Sequence, residues 1–185
     1  MKGKVKKEFN ILLPKLFGER VVSKTMADKP DKIMGRKFSV YARDVSPETQ
    51  KYYYKFSFKV TKIEDDKAMC SFVGHEVSRS FISRCVKTDS TRIDGYVICK
   101  TKDDVELILK PFIVTPRKVK SSVATDIRIK LEDSLKTHVS KNNLDAIVKG
   151  ILSDDLQRKL KKTISLVYPI NLIEIRKTEI KIKVD

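Results

Sequence analysis

Over residues 52–61, Tyr52, Tyr54, Phe56, Phe58 and Val60 alternate with Tyr53, Lys55, Ser57, Lys59 and Thr61. A period of two puts the first set on one face of a strand and the second on the other, so one face meets a core and the other meets water. Asp65-Asp66-Lys67 supplies turn chemistry, and Cys70, Phe72 and Val73 follow as the partner strand of a hairpin. Gly74 is expected to let the chain leave the sheet. Ser78 then caps a short basic helix with Phe81, Ile82, Cys85 and Val86 on one face. A helix of about ten residues is marginal alone and has to dock. A second hairpin is predicted from 93–101 and 105–115 around Lys102-Asp103-Asp104, the later strand being the more apolar.

Before these, residues 21–25 read as a short strand and 26–34 as a loop with Asp28, Pro30 and Asp31. Residues 35–41 form a strand in which Phe38 and Val40 oppose Lys37 and Ser39, and Pro47 ends that segment. Residues 1–19 are basic, then briefly apolar, without a sustained period, and read as a peripheral arm. After Pro116 the period becomes helical. Ser121 or Ser122 opens a helix carrying Val123, Ile127, Leu131 and Leu135, and Leu144, Ile147, Val148 and Ile151 mark a second. Ser153-Asp154-Asp155 opens a third, with Leu156, Leu160, Ile164 and Val167 inside and Pro169 as its stop. From Ile170 the chain returns to strand, with Ile180, Ile182 and Val184 set against Glu179, Lys181 and Lys183.

These elements predict an α+β fold. An antiparallel, barrel-like β-sheet over about 20–115 carries C-terminal helices over about 121–167 packed on it, and a final strand over about 170–184 returns to the sheet. With 185 residues, one domain over 20–185 preceded by the 1–19 arm is the expected organisation.

Charge changes the picture most. Lys and Arg number 40 against 24 Asp and Glu, a formal charge of +16. Self-repulsion on that scale calls for a polyanionic partner. A membrane surface would want a basic amphipathic helix with Trp or Phe on its apolar face, and the chain has no Trp. No apolar run approaches the roughly 18 residues of a membrane span. The apolar run 11–13 is too short for the core of a signal peptide, so a cytosolic protein is expected. Cys70, Cys85 and Cys99 are too widely spread for a metal or redox pair and read as thiols in a reducing compartment.

Catalytic chemistry is hard to assemble. The six glycines are far apart, which excludes a phosphate-cradling loop or a dinucleotide fingerprint. His75-Glu76 opens like a zinc-protease motif, but Arg79 stands where the second His belongs and His138 is the other imidazole. No Gly-x-Ser-x-Gly elbow occurs. The carboxylate pairs Asp65-Asp66, Asp103-Asp104 and Asp154-Asp155 sit where turns or helix starts already explain them. No enzyme, cofactor or metal is expected. The remaining signal is three basic sets: Arg79, Arg84, Lys87 and Arg92; Arg117, Lys118 and Lys120, continuing to Arg128 and Lys130; and Arg158, Lys159, Lys161 and Lys162. Each set alone reads equally as a solvated face, whereas three on one chain point to phosphate contact. Tyr53, on the wet face of its strand, is a candidate for stacking on a base.

Several short motifs then fall in a fixed order: Gly35-Arg36-x-Phe38-x-Val40-x-x-x-Asp44, Lys55-Phe56, Cys70-x-Phe72-x-Gly74-x-x-x-Ser78-Arg79, Asp94-Gly95-Tyr96 and Val167-Tyr168-Pro169-Ile170. In order and spacing they resemble the archaeal and eukaryotic small-subunit ribosomal protein family S-three-A-e, also termed e-type S-one. Lys37 and Ser39 depart from it, standing where the family tends to have an aliphatic residue and Glu. Eukaryotic members carry longer basic extensions, so the shorter chain implies the archaeal type. The resemblance implies a non-enzymatic, metal-free structural protein of the subunit platform near the messenger exit. Its expected partners are ribosomal RNA and neighbouring small-subunit proteins, with messenger RNA a further candidate. By position it matches Arg79, Arg84, Arg92, Arg117, Lys118, Lys120 and Arg128 to basic places in the family's motifs. A free RNA-binding assembly or translation factor is the alternative, and an enzyme acting on RNA would rest on His75 and Glu76 alone.

Overall fold

A computed structural model describes residues 7–45 and 51–181. Among them are nine strands and five α-helices, an α+β architecture. The chain divides into two compact units, Met1–Gly74 and His75–Asp185.

The first unit contains β1 (Lys7–Leu12), β2 (Val21–Ala27), β3 (Lys37–Tyr41), the single turn α1 (Ala42–Val45), β4 (Tyr54–Glu64) and β5 (Lys67–Val77) as far as Gly74. β3 lies antiparallel to β4 with Val40 opposite Phe56, and β4 pairs in turn with β5. β1 lies antiparallel to β2 and parallel to β5, with Ile11 opposite Ala68. Residues 7–12, expected in a peripheral arm, are thus part of the sheet. Phe9 and Ile11 are buried at alternate positions and Leu13 and Phe17 follow them, a short period of two that the surrounding lysines hid. Residues 1–6 of the expected arm lie outside the described residues.

Burial of Tyr54, Phe56, Phe58 and Val60 follows the alternation that their spacing predicts. The Phe17 ring meets those of Phe58 and Phe56 with centroids 5.4 and 5.5 Å apart. Such tilted and edge contacts add about 0.5–1.5 kcal/mol per pair beyond area burial. Tyr52 is not in this core: it is 59% exposed, because the strand starts at Tyr54 after a turn closed by Tyr54 N–H donating to Lys51 O at 3.0 Å. At the β4–β5 hairpin Asp65 takes a φ of 51°, a left-handed conformation that Asp tolerates. β5 runs on through Gly74 to Val77 instead of leaving the sheet there. Pro47 lies outside the described residues.

The second unit holds the end of β5 from His75, then α2 (Arg79–Cys85), β6 (Arg92–Asp94), β7 (Val97–Lys100) and β8 (Glu106–Val114). α3 (Ser121–Ser140), α4 (Leu144–Leu152), α5 (Asp155–Ile164) and β9 (Leu172–Ile180) complete it. β8 is its central strand, antiparallel to β9 on one side and to both β6 and β7 on the other. The strand expected over 93–101 is split because Pro111 sits opposite the break. Proline has no N–H to give the ladder. The β8–β9 register shifts between Lys110 and Pro111, and Gly95 N–H bonds Pro111 O at 2.9 Å.

The helices pack as their stripes predict. Ile127, Leu131, Leu135 and Val139 of α3 are buried, and α3 packs on β6, β7 and α5 while α5 also packs on β9. α5 ends at Ile164, earlier than Pro169 requires. The turn at 165–167, with Val167 N–H bonded to Ile164 O at 2.9 Å, leaves Val167 43% exposed where it was expected inside. Of the final strand's expected apolar face, Ile182 and Val184 lie outside the described residues. The sheet is open, not barrel-like. Among the described residues β2 is mostly exposed and pairs with β1 alone, β3 pairs only with β4, and β6 is three residues long, so the edges are not joined.

Candidate nucleic-acid interface

Ser78 accepts the Phe81 N–H at 3.4 Å and so starts α2 where the sequence places it. With Ile82 turned inward, Arg79 and Arg84 face water. Lys87 is also exposed, on a turn tied at both its N–H and its C=O to the Ser90 hydroxyl. Arg92 projects from β6, half-buried. Its Nη2 meets Asp94 Oδ1 at 2.8 Å, and its guanidinium carbon lies 5.6 Å from the centre of the Phe112 ring.

Arg79 and Arg92 line a cleft of about 510 Å³ in the second unit, together with Lys110, Arg176, Lys177, Glu76 and Ser83, above Val77 and Ile82. Arg84 and Lys87 do not line it. Five cations there face one carboxylate. Lys110 and Lys177 reach a shared anion, Glu179, at 3.3 and 2.6 Å. The hydrogen bond from Lys177 holds the Glu179 carboxyl below the usual carboxylate range, and the same bond raises the Lys177 ammonium above its ordinary value. Arg92 Nε and Arg176 Nε are buried and have no acceptor among the described residues. A buried donor left unpaired costs about 1–3 kcal/mol until an acceptor arrives.

Sequence reasoning missed Lys110, Arg176 and Lys177. The signal available was a pair of consecutive cations, Arg176-Lys177, interrupting an apolar strand, and a lysine ahead of a proline in the most buried strand. Both are places where a regular pleat is broken.

The second basic set lies along the connector into α3. Arg117, Lys118 and Lys120 are exposed. Their backbone is fixed by the buried Thr115 hydroxyl, which donates to Arg117 O at 2.7 Å, and by Val119 N–H donating to Thr91 Oγ1 at 3.1 Å. Arg128 Nε donates to Asp94 O at 3.0 Å, and Lys130 faces water. On α5, Arg158, Lys159, Lys161 and Lys162 line a shallow depression with Asp155 and Ser165. Arg158 is held to Asp155 and Ser153 O at 2.8 and 2.9 Å, and Lys161 to Asn171 O at 2.8 Å. The Ser153 hydroxyl, ahead of the nearby Arg158 and Lys159 charges, keeps the Asp155 carboxyl below its ordinary value.

His75 and several of the carboxylates considered for catalysis have structural roles. His75 is 2% exposed inside β5 and donates from Nε2 to Ile175 O at 2.9 Å. Asp65, Asp104 and Asp154 occupy left-handed turn or cap positions, and Asp103 Oδ2 accepts the Leu144 N–H at the start of α4 at 3.1 Å. Burial pushes the Cys70 and Cys99 thiols up to about 12 and 11, away from reactive thiolate. No group of three or more His, Cys, Asp or Glu suited to a metal exists among the described residues. The Tyr53 ring is stacked on Tyr54 at 5.2 Å and meets Tyr52 edge-on at 5.5 Å, so neighbouring rings already engage it.

A sequence model described as the Ribosomal S3Ae family matches residues 2–183. The chain belongs to the ribosomal S3Ae family. It is 32% identical over 183 residues to the small ribosomal subunit protein eS1 of Sulfurisphaera tokodaii, covering 97% of this chain and 93% of that one. The eS1 proteins of Methanothermobacter thermautotrophicus and Methanothrix thermoacetophila are 28% and 29% identical. They cover 96% and 97% of this chain, and 91% and 85% of their own lengths. All three are archaeal, in keeping with the archaeal type expected. S3Ae membership makes this a ribosomal structural protein and not an enzyme. None of its described helices is long and apolar enough to cross a membrane.

Proposed function

We propose that this S3Ae-family chain is a structural constituent of the small ribosomal subunit and holds ribosomal RNA through its basic faces, at the platform near the messenger exit. The observation that carries the RNA reading is where the cations stand. They project from α2, from the pinned connector into α3 and from α5, so their spacing is set by the fold. Lys and Arg so placed neutralise phosphates and release counterions, which supplies affinity, while the rigid elements fix register and orientation. Discrimination then comes from the shape of the RNA, because the chain presents charged faces in place of a dedicated base-reading module. Neighbouring small-subunit proteins are the other partners, and messenger RNA leaving the subunit has the same chemistry.

Sedimentation of cell extract on a gradient at moderate salt tests the reading. The protein should travel with the small subunit. Recovery mostly apart from mature subunits would replace it with a free RNA-binding assembly or translation factor.

A further inference from the structure

We infer that the cleft lined by α2, β6, β8 and β9 in the second unit is a specific site for one phosphate group, with the guanidiniums of Arg92 and Arg176 as its principal ligands. As the place where an RNA backbone phosphate seats, it rests on the RNA-binding reading above. As an oxyanion site it stands by itself.

Three observations converge. First, the cleft is cationic: Arg79, Arg92, Lys110, Arg176 and Lys177 face Glu76 across about 510 Å³, enough for a phosphate and part of what it is attached to. Second, the five cations are not equally free. Glu179 engages both Lys110 and Lys177, and Asp94 engages one nitrogen of Arg92, so the N–H donors left for a ligand are mainly those of the guanidiniums. Planar guanidiniums present paired N–H groups that match the oxygens of phosphate, and several of them offer more donors than a carboxylate can accept. Third, the two side chains carry unsatisfied donors. Arg92 is held at Nη2 by Asp94 and by the Phe112 ring, and the buried Nε of Arg92 and of Arg176 lack an acceptor among the described residues. With under 1 Å² of accessible surface, neither Nε is within reach of an oxygen as the side chains stand, so a phosphate in the cleft engages these donors through a small swing of the guanidinium toward it.

The Pro111 irregularity contributes to this arrangement. The β8–β9 register passes from Lys110 opposite Lys177 to Pro111 opposite Ile175, so Arg176 is the extra residue of β9 at the break, and it lines the same cleft as Lys110 and Lys177.

Two arms test the site on the full-length chain. In the first, the Nε–H resonances of the 15N-labelled wild-type protein are followed while inorganic phosphate is added, with sodium chloride at matched ionic strength as control. The signals of Arg92 and Arg176 should move saturably with phosphate and not with chloride. In the second, binding to purified small-subunit ribosomal RNA is measured against salt for wild type, for R92Q/R176Q, and for the charge-matched K24Q/K62Q on the first unit. R92Q/R176Q should lose about tenfold or more in affinity per charge-assisted contact. Its salt slope should fall by about 0.7–0.9 per phosphate contact removed. K24Q/K62Q should keep the wild-type slope.

Resonance shifts with phosphate and a reduced RNA slope establish an RNA phosphate as the occupant. Shifts with phosphate alongside an unchanged RNA slope, or with no RNA binding by wild type, keep the phosphate site and assign it to a free anion; in the latter case the RNA reading falls. Silent resonances with an RNA slope equal to wild type overturn the site while leaving the RNA reading intact. If R92Q/R176Q does not fold, the wild-type phosphate arm decides.

Discussion

Among single side chains, His138 has the clearest consequence for solution behaviour. It lies on α3, half-buried, and its imidazole is held below its ordinary value by burial first and by the Lys159 charge second. The folded chain therefore binds this proton less readily than the unfolded chain. As pH falls below the ordinary imidazole value of about 6.5, the unfolded state takes up the proton first and stability drops. Thermal melts between about pH 7 and 5 should show this loss, and H138Q should flatten that part of the profile; an unchanged slope would place the titration elsewhere. Glu179 acts in a lower window. Its depressed carboxyl stabilises the fold above the usual carboxylate range, and that contribution disappears as pH falls through the depressed value. Residue-level reading of the sequence identified Arg79, Arg84, Lys87 and the α5 cations as exposed, because amphipathic spacing settles which side of a helix meets water. It did not bring Lys110, Arg176 and Lys177 to Arg92, since the cleft is made by strands far apart in sequence.

Elements were legible where one period ran uninterrupted, as in β4, α3 and α4, and illegible where tertiary geometry overrode a local cue. Gly74 reads as an exit from the sheet, yet β5 needs only an extended residue there and continues. β1 has only two alternating buried residues, Phe9 and Ile11, next to a lysine-rich start, too few to outweigh the charge, and the pairing partners that make it a strand lie elsewhere in the chain. Residues 93–101 look like one strand until Pro111 opposes them. Gly95, at that break, is fitted to its surroundings: a Cβ there would meet Pro111 Cγ at 3.1 Å and Leu131 Cδ2 at 3.3 Å. Leu131 is a buried residue of the α3 stripe, so in G95A the Pro111 ring and the Leu131 side chain have to give by a few tenths of an ångström. The expected cost is about 1–3 kcal/mol, or a melting temperature lower by about 2–4 °C for each kcal/mol. Calorimetry checks it, and a wild-type melting temperature would show that α3 yields easily at this contact.

For the whole molecule the dominating fact is a formal charge of +16. Mutual repulsion opposes the compact state, and a bound polyanion removes it. Melting followed with added small-subunit ribosomal RNA should therefore show stabilisation that grows with RNA concentration, about 2.7 kcal/mol at one hundred times the dissociation constant. A neutral polymer at equal mass should do little. No shift with RNA would mean that folded and unfolded chains bind it equally. The family was legible at this scale because a series of individually weak motifs, taken in order, covers nearly the whole chain.

The two withheld N–H donors of Arg92 and Arg176 bear on how readily the chain opens locally. An unsatisfied buried donor weakens the strand that carries it, here β6 and β9, and favours transient opening. Proteases act on such openings. On the anion site inferred above, limited proteolysis of the full chain should be slowed by inorganic phosphate and not by chloride at matched ionic strength, and an equal rate in both would show that these donors do not govern the opening.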